Sequence, residues 1–236
     1  TKGGGSSMEL ANPWMDNDRP SAWRDSDESD KSRFDTYSTN GRLRQLRTQG
    51  GASDYRELHM HLVGDSHIVL TDIEFIVNRL KKNVIKNGHK MSPNGVSSGG
   101  WLAQGTHWAT HMDGKELHLI SDGHGDNRPN RMEIDLNDLR RNDDCEIRFK
   151  ARWIQGNPRL IAWTWDKSFA GSFLIRVPEN LGTPGRQNSR FISNPPPQVD
   201  ELVHHPAVPR SGQAVTVAAS IHSTAPSPRV RVYHRP

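Results

Sequence analysis

Twelve histidines are spread along a chain with a single cysteine, Cys145. Any transition-metal chemistry here must therefore rest on imidazole and carboxylate rather than on thiolate clusters. His59 and His61 stand two apart in Glu57-Leu58-His59-Met60-His61-Leu62-Val63. On an extended chain that spacing sends both rings to one face, and His118 is the candidate third ligand of a zinc or iron site with an open position. No His-Glu-x-x-His pattern accompanies them; the plainer reading makes them polar positions on the solvent face of half-buried strands. Oxygen donors are densest in Ser121-Asp122-Gly123-His124-Gly125-Asp126-Asn127. Asp122, Asp126 and Asn127 are candidate ligands of a structural calcium, with two glycines letting the backbone wrap tightly. The run lacks the EF-hand spacing and its terminal glutamate, and the alternative is a polar hairpin connection.

Five of the seven tryptophans, Trp101, Trp108, Trp153, Trp163 and Trp165, fall in one stretch. An indole offers a sugar ring a flat apolar surface and one donor. Trp153, Trp163 and Trp165 lie on strand-like segments and are expected in the core. Trp101 and Trp108 lie in loops and, with His107 and His124, make the expected ligand-contacting set. Nucleophilic catalysis finds little support. Cys145 sits among Asp143, Asp144 and Glu146, whose charge raises a thiol pKa. The sequence has no Gly-x-Ser-x-Gly elbow and no phosphate loop following a strand. Glu133 and Asp135 form a same-face acidic pair of the kind that solvated strands commonly carry, short of the two opposed carboxylates of a glycosidase.

The elements that must position these residues are short strands. Residues 57–63 alternate polar and apolar, and His67–Val77 repeats the pattern after the turn residues Gly64-Asp65-Ser66, with a break near Leu70-Thr71 that suits a bulge. The two read as a hairpin. Further strands are expected at Glu116–Ser121, Arg131–Leu136, Cys145–Trp153, Leu160–Trp165 and Ser172–Val177, separated by Asp113-Gly114, Asp122-Gly123, Gly156-Asn157-Pro158 and Gly171. Repeated short strands with such punctuation indicate an all-β antiparallel jelly roll or β-sandwich with long loops. The polar, glycine-rich run 78–100 suggests a boundary near residue 80. Pro195-Pro196-Pro197 marks a stiff linker, and Ala214–Ile221 and Val230–Tyr233 alternate as the start of another sandwich.

Composition agrees with that layout: 236 residues, only 33 % hydrophobic, with 20 glycines and 15 prolines and a mean hydropathy of −0.79. No run approaches the ~18–20 apolar residues of a membrane span. Basic and acidic residues, 31 against 27, are interleaved rather than gathered into the basic face of a nucleic-acid binder.

Asn83-Val84-Ile85-Lys86-Asn87-Gly88 is similar to the Asn-Leu-Ile-x-Asn-Gly opening of jelly-roll, galactose-binding-like carbohydrate-binding modules. The rest of that pattern follows in order: Trp101 in the early loop, Gly114–Ser121 for the strand Asp-Gly-x-x-Leu-x-Ile, Arg131–Leu136, and Glu146–Arg152 for Tyr-x-x-Ser-Phe-x-Ala-Arg. Arg140–Asp144 departs from it, lacking the usual glycine before the strand. Residues 55–77 resemble the final two strands of a preceding module of the same type, Val69–Phe75 being similar to its Val-x-Ile-Asp-Asp-Val-x-Leu motif. Gly182–Ser189 resembles the exit of modules in large bacterial surface proteins that also carry lamin-tail, spore-coat-kinase-like and immunoglobulin-like domains.

The resemblance implies four segments. Residues 1–80 would be the end of a first jelly-roll module behind a flexible arm, and 81–178 a second module. Residues 179–197 would be a linker, and 198–236 the start of an immunoglobulin- or fibronectin-like domain. It implies a non-catalytic fragment of an extracellular or surface protein that binds a polysaccharide or another surface ligand beside neighbouring domains of its parent chain. The competing expectations are a metal-dependent jelly-roll enzyme using His59, His61 and His118, and a purely structural connector.

Overall fold

The computed structural model describes residues 6–44, 56–93, 95–124, 128–165, 169–223, 229–231 and 233. Its strands are β1 (Met8–Leu10), β2 (Trp23–Asp25), β3 (Asp35–Arg42), β4 (Glu57–Leu62), β5 (Ser66–Val77), β6 (Lys82–Asn83), β7 (Leu102–Gln104) and β8 (His111–Asp113). There follow β9 (Glu116–Ser121), β10 (Arg131–Asp135), β11 (Asp144–Gly156), β12 (Arg159–Thr164), β13 (Ala170–Leu174), β14 (Gln198–His205) and β15 (Thr216–His222). Only single 3-10 turns join them as helical structure, and no helix is long and apolar enough to cross a membrane among the described residues.

Asp27–Leu181 forms one compact unit, an antiparallel β-sandwich. Its five-stranded sheet runs β13-β12-β4-β10-β7; its six-stranded sheet runs β3-β11-β5-β9-β8, with β6 added beside β5. The chain passes back and forth between layers: β4 in the first sheet, β5 in the second, β7 in the first, β9 in the second, then β10, β11 and β12 in alternation. Strand alternation supplies the filling. Leu58 and Met60 of β4, Met132 and Ile134 of β10, and Leu160 and Ala162 of β12 pack into one core with Ile68, Leu70, Leu119, Ile147, Phe149 and Trp153 of the facing sheet. Each large apolar side chain so buried contributes about 1.5–3 kcal/mol.

Two expectations are corrected here. The strands of 57–77 are not a hairpin: β4 pairs with β10 and β12, while β5 pairs with β9 and β11 in the opposite layer. Gly64, at φ 71°, helps turn the chain across the sandwich rather than back along the same sheet. Nor does the chain divide near residue 80, because β4 and β5 are interior strands of the two sheets that hold the 81–178 strands. The irregularity expected near Leu70-Thr71 lies one step on. Between Thr71 and Glu74, β5 has one residue more than β11 opposite, and Asp72 takes φ 51°, as a bulge requires. At Arg140–Asp144, where the resemblance lacks its glycine, Asn142 adopts the left-handed φ of 67°, which asparagine tolerates better than most residues.

Ser7–Ser26 with Gly182–Pro236 makes the second unit. β1 pairs with β2, and Ala11, Met15 and Ala22 pack with Leu10, Trp23 and Ile192. Part of the expected linker is thus strapped to the N-terminal segment. The Ile192 amide donates to the Ala11 carbonyl (2.8 Å), Asn188 Nδ2 to the Leu10 carbonyl (2.7 Å), and the Ser189 amide and hydroxyl to Glu9 Oε2 (2.8 Å each). Burial alone would raise the Glu9 carboxyl, but hydrogen bonds from the Thr183 hydroxyl and from Ser189 hold it below its usual range. β14 and β15 pair antiparallel; Val230 and Tyr233 lie outside any strand.

Candidate functional site

Leu58, Met60 and Leu62 take the inner face of β4, so Glu57, His59 and His61 face outward. The register carries that face sideways: His59 lies opposite Glu133 on β10 and Trp163 on β12, and Glu57 lies opposite Asp135. Trp165 follows β12, its amide donating to the Glu57 carbonyl at 3.0 Å. The outer face of the five-stranded sheet thereby collects carboxylates, imidazoles, a guanidinium and two indoles.

Their mutual geometry is close. His59 Nε2 stands 3.0 Å from Glu57 Oε2 and 3.6 Å from Glu133 Oε2, and Arg131 forms an ion pair with Glu133. Ser97, in the 3-10 turn Ser97–Gly99, places its hydroxyl 2.6 Å from Asp135 Oδ1 and 3.3 Å from Glu57 Oε1. The Trp163 ring stacks on His61, with centroids 4.1 Å apart and planes 16° off parallel. His59 meets Trp165 at 5.3 Å, and the Arg131 guanidinium lies 5.6 Å from the centre of the Trp165 ring, within cation–π range.

This environment pushes the two glutamates apart. Burial first, then the charge of Glu57, raises the Glu133 carboxyl from 4.5 to about 7, against the opposing pull of Arg131. Burial also works to raise Glu57, but hydrogen bonding and charge from His59, the Ser97 hydroxyl and Arg131 outweigh it and leave Glu57 below its usual value. His61 is depressed to about 3, by burial and then by the charges of His107, His59 and Arg131. Its Nε2 is buried without a hydrogen-bond partner among the described residues.

The four residues expected to touch ligand separate into two interior and two surface positions. Trp101 is wholly buried in the sandwich core, and its indole N–H donates to the Gly88 carbonyl at 3.0 Å; a surface ligand does not reach it. His107 is buried as well, its Nε2 accepting the Leu62 amide at 3.0 Å, and burial lowers its pKa to about 4. It serves the end of β4 rather than a ligand. Trp108, 57 % exposed, and His124, also exposed, remain on the surface. Their loops are neighbours, since the Asp122 amide donates to the Thr106 carbonyl at 3.4 Å. Of the calcium candidates, Asp122 Oδ1 accepts the His124 amide at 2.9 Å, while Asp126 and Asn127 lie outside the described residues.

The histidine set His59, His61 and His118 is not assembled, because His118 lies on β9 in the other sheet. There His118 Nδ1 is 3.0 Å from His67 Nε2, with His111 stacked against it. Of the tryptophans expected inside, Trp153 is wholly buried, but Trp163 and Trp165 belong to the outer face and are only partly covered. Ile161 shares their phase, which made that face look like core. Ser97 carried no signal in the sequence. Glu57, Arg131 and Glu133 carried one, their phase on strands whose opposite positions are all apolar.

Comparison of the chain with protein-family models, with curated proteins and with solved structures finds no match. What fold and site define is an antiparallel β-sandwich whose five-stranded sheet bears an acidic, aromatic outer face.

Proposed function

We propose that the sandwich is a carbohydrate-binding module that receives a glycan on the outer face of its five-stranded sheet. One observation carries the reading: Trp163 and Trp165 are directed away from the core and stand beside Glu57, Glu133 and Arg131. Sugar recognition asks for that combination, an indole face against the ring's C–H groups and charged donors and acceptors for its hydroxyls. The sequence resemblance to jelly-roll carbohydrate-binding modules points the same way. It also supports a place within a large bacterial surface protein, with β14 and β15 as the first strands of an immunoglobulin-like neighbour. Exposed Trp108 extends the contact surface in a larger ligand.

A glycan array followed by calorimetry tests the proposal. Binding to at least one glycan class is expected, weakened tenfold or more by Trp163→Ala or Trp165→Ala. Silence across a broad array, or affinity untouched by both substitutions in folded protein, would overturn it in favour of a structural connector.

A further inference from the structure

The outer face of the five-stranded sheet crowds carboxylate oxygens around His59 and Ser97. The Ser97 hydroxyl has one hydrogen and faces both Asp135 and Glu57. Glu133, with 5 % of its side chain exposed, directs Oε2 at His59 Nε2 from 3.6 Å, beyond hydrogen-bond reach. Arg131 approaches that oxygen as an ion pair, yet no described residue donates a well-formed hydrogen bond to it. Glu57 Oε2 points at the same imidazole nitrogen from the other side, at 3.0 Å.

We infer that Glu57, His59 and Glu133 form a binding site for one divalent first-row metal ion of the zinc type. A tetrahedral zinc with bonds of about 2.0–2.1 Å holds its donors about 3.3 Å apart. The two separations at His59 Nε2, 3.0 and 3.6 Å, bracket that spacing, and all three donor atoms lie within 4.8 Å of one another. One imidazole nitrogen with two carboxylates suits zinc and its neighbours, whereas calcium wants about six to eight oxygens. The surroundings supply the outer contacts that such ligands need. Ser97 engages Glu57 through Oε1, leaving Oε2 for the ion, whereas the Arg131 ion pair lies on Glu133 Oε2 itself and gives way as the ion binds. Imidazole and carboxylate bind a metal ion only when deprotonated, so binding weakens as the pH falls. Three protein ligands leave a position for water or a ligand oxygen.

The test uses the full chain, stripped with a chelator and titrated with zinc chloride against a chromophoric competitor. It needs no sugar, so its failure is distinct from failure of the glycan reading. One ion per chain is expected, unaffected by excess calcium or magnesium. Loss of an outer contact at a metal site costs about 10–100-fold in affinity, so His59→Gln and Glu133→Gln should each cost about 100-fold or more. The double variant His67→Gln/His118→Gln should leave binding unchanged. Binding below one equivalent, binding that survives both ligand substitutions in folded protein, or binding lost with His67 and His118 would overturn the assignment. X-ray absorption of the zinc-loaded wild type decides the matter should the variants fail to fold: one imidazole among oxygen donors is expected, and two or more imidazoles, or none, would refute it.

Discussion

Glu133→Gln separates the electrostatic cost of the outer face from everything else in the molecule. The Glu133 carboxyl moves from 4.5 to about 7 in the folded chain, a rise of about 2.5 units, or about 3 kcal/mol at 1.36 kcal/mol per unit. Below pH 4.5 both folded and unfolded chains carry the proton and the group contributes nothing. Between pH 4.5 and 7 the unfolded chain releases it first, so stability falls as pH rises, and above pH 7 the whole cost is present. Glutamine keeps the shape without the titration. Measured in chelator by urea unfolding, the stability of Glu133→Gln relative to wild type should rise by about 3 kcal/mol between pH 4 and pH 8. The groups facing Glu133, namely Glu57, His59, Arg131 and Asp135, are present in both proteins. The subtraction also removes the opposite trend of the depressed histidines. His61 at about 3, with His67 and His107 at about 4, withdraw stability from both chains as pH falls from about 6.5 through those values. A difference that stays flat with pH, within roughly 0.5 kcal/mol, would refute the placement of Glu133 in a desolvated, acid-crowded face.

The two loop tryptophans should behave oppositely under thermal or urea unfolding. Trp101→Ala, at a wholly buried indole, should cost about 3–5 kcal/mol, whereas Trp108→Ala should fall within about 0.5 kcal/mol of wild type. Gly156→Ala should destabilise by more than about 1 kcal/mol, since Gly156 has φ 83° and a Cβ there would stand 2.2 Å from the Asp65 carbonyl oxygen. Cys145 is fully buried, and burial with the charges of Asp143 and Asp144 pushes its thiol up to about 12. A thiol reagent should therefore label the folded chain far more slowly than the chain in 8 M urea (about the usual unfolding concentration); equal rates would place the thiol at the surface.

Strand alternation made β4, β9, β10 and β12 visible in sequence to within a residue, and β11 but for its last three, because a half-buried strand must alternate whatever it pairs with. β3 stayed hidden for the converse reason. Asp35–Arg42 is an edge strand whose one neighbour is β11, and without an apolar phase it leaves no pattern. Pairing also escaped. Gly64-Asp65-Ser66 has the composition of a hairpin turn and instead joins two layers, a choice made by the partners of β4 and β5 rather than by the turn residues.

The candidate site shows the same division. Residue type and spacing established alone that His59 and His61 share a face, that Trp163 lies in phase with Trp165, that Cys145 sits among acidic neighbours, and that the chain is all-β. Period two separates a strand into two faces but carries no sign, so which face met the other sheet was decided by packing. That packing took Trp101 and His107 inside and turned Trp163 and Trp165 outward. Only the antiparallel registers of β4 with β10 and β12 placed Glu57 and His59 beside Glu133 and Trp163. Those residues are separated by some seventy to a hundred positions in the chain, and long-range hydrogen bonding, which local sequence does not encode, brings them together.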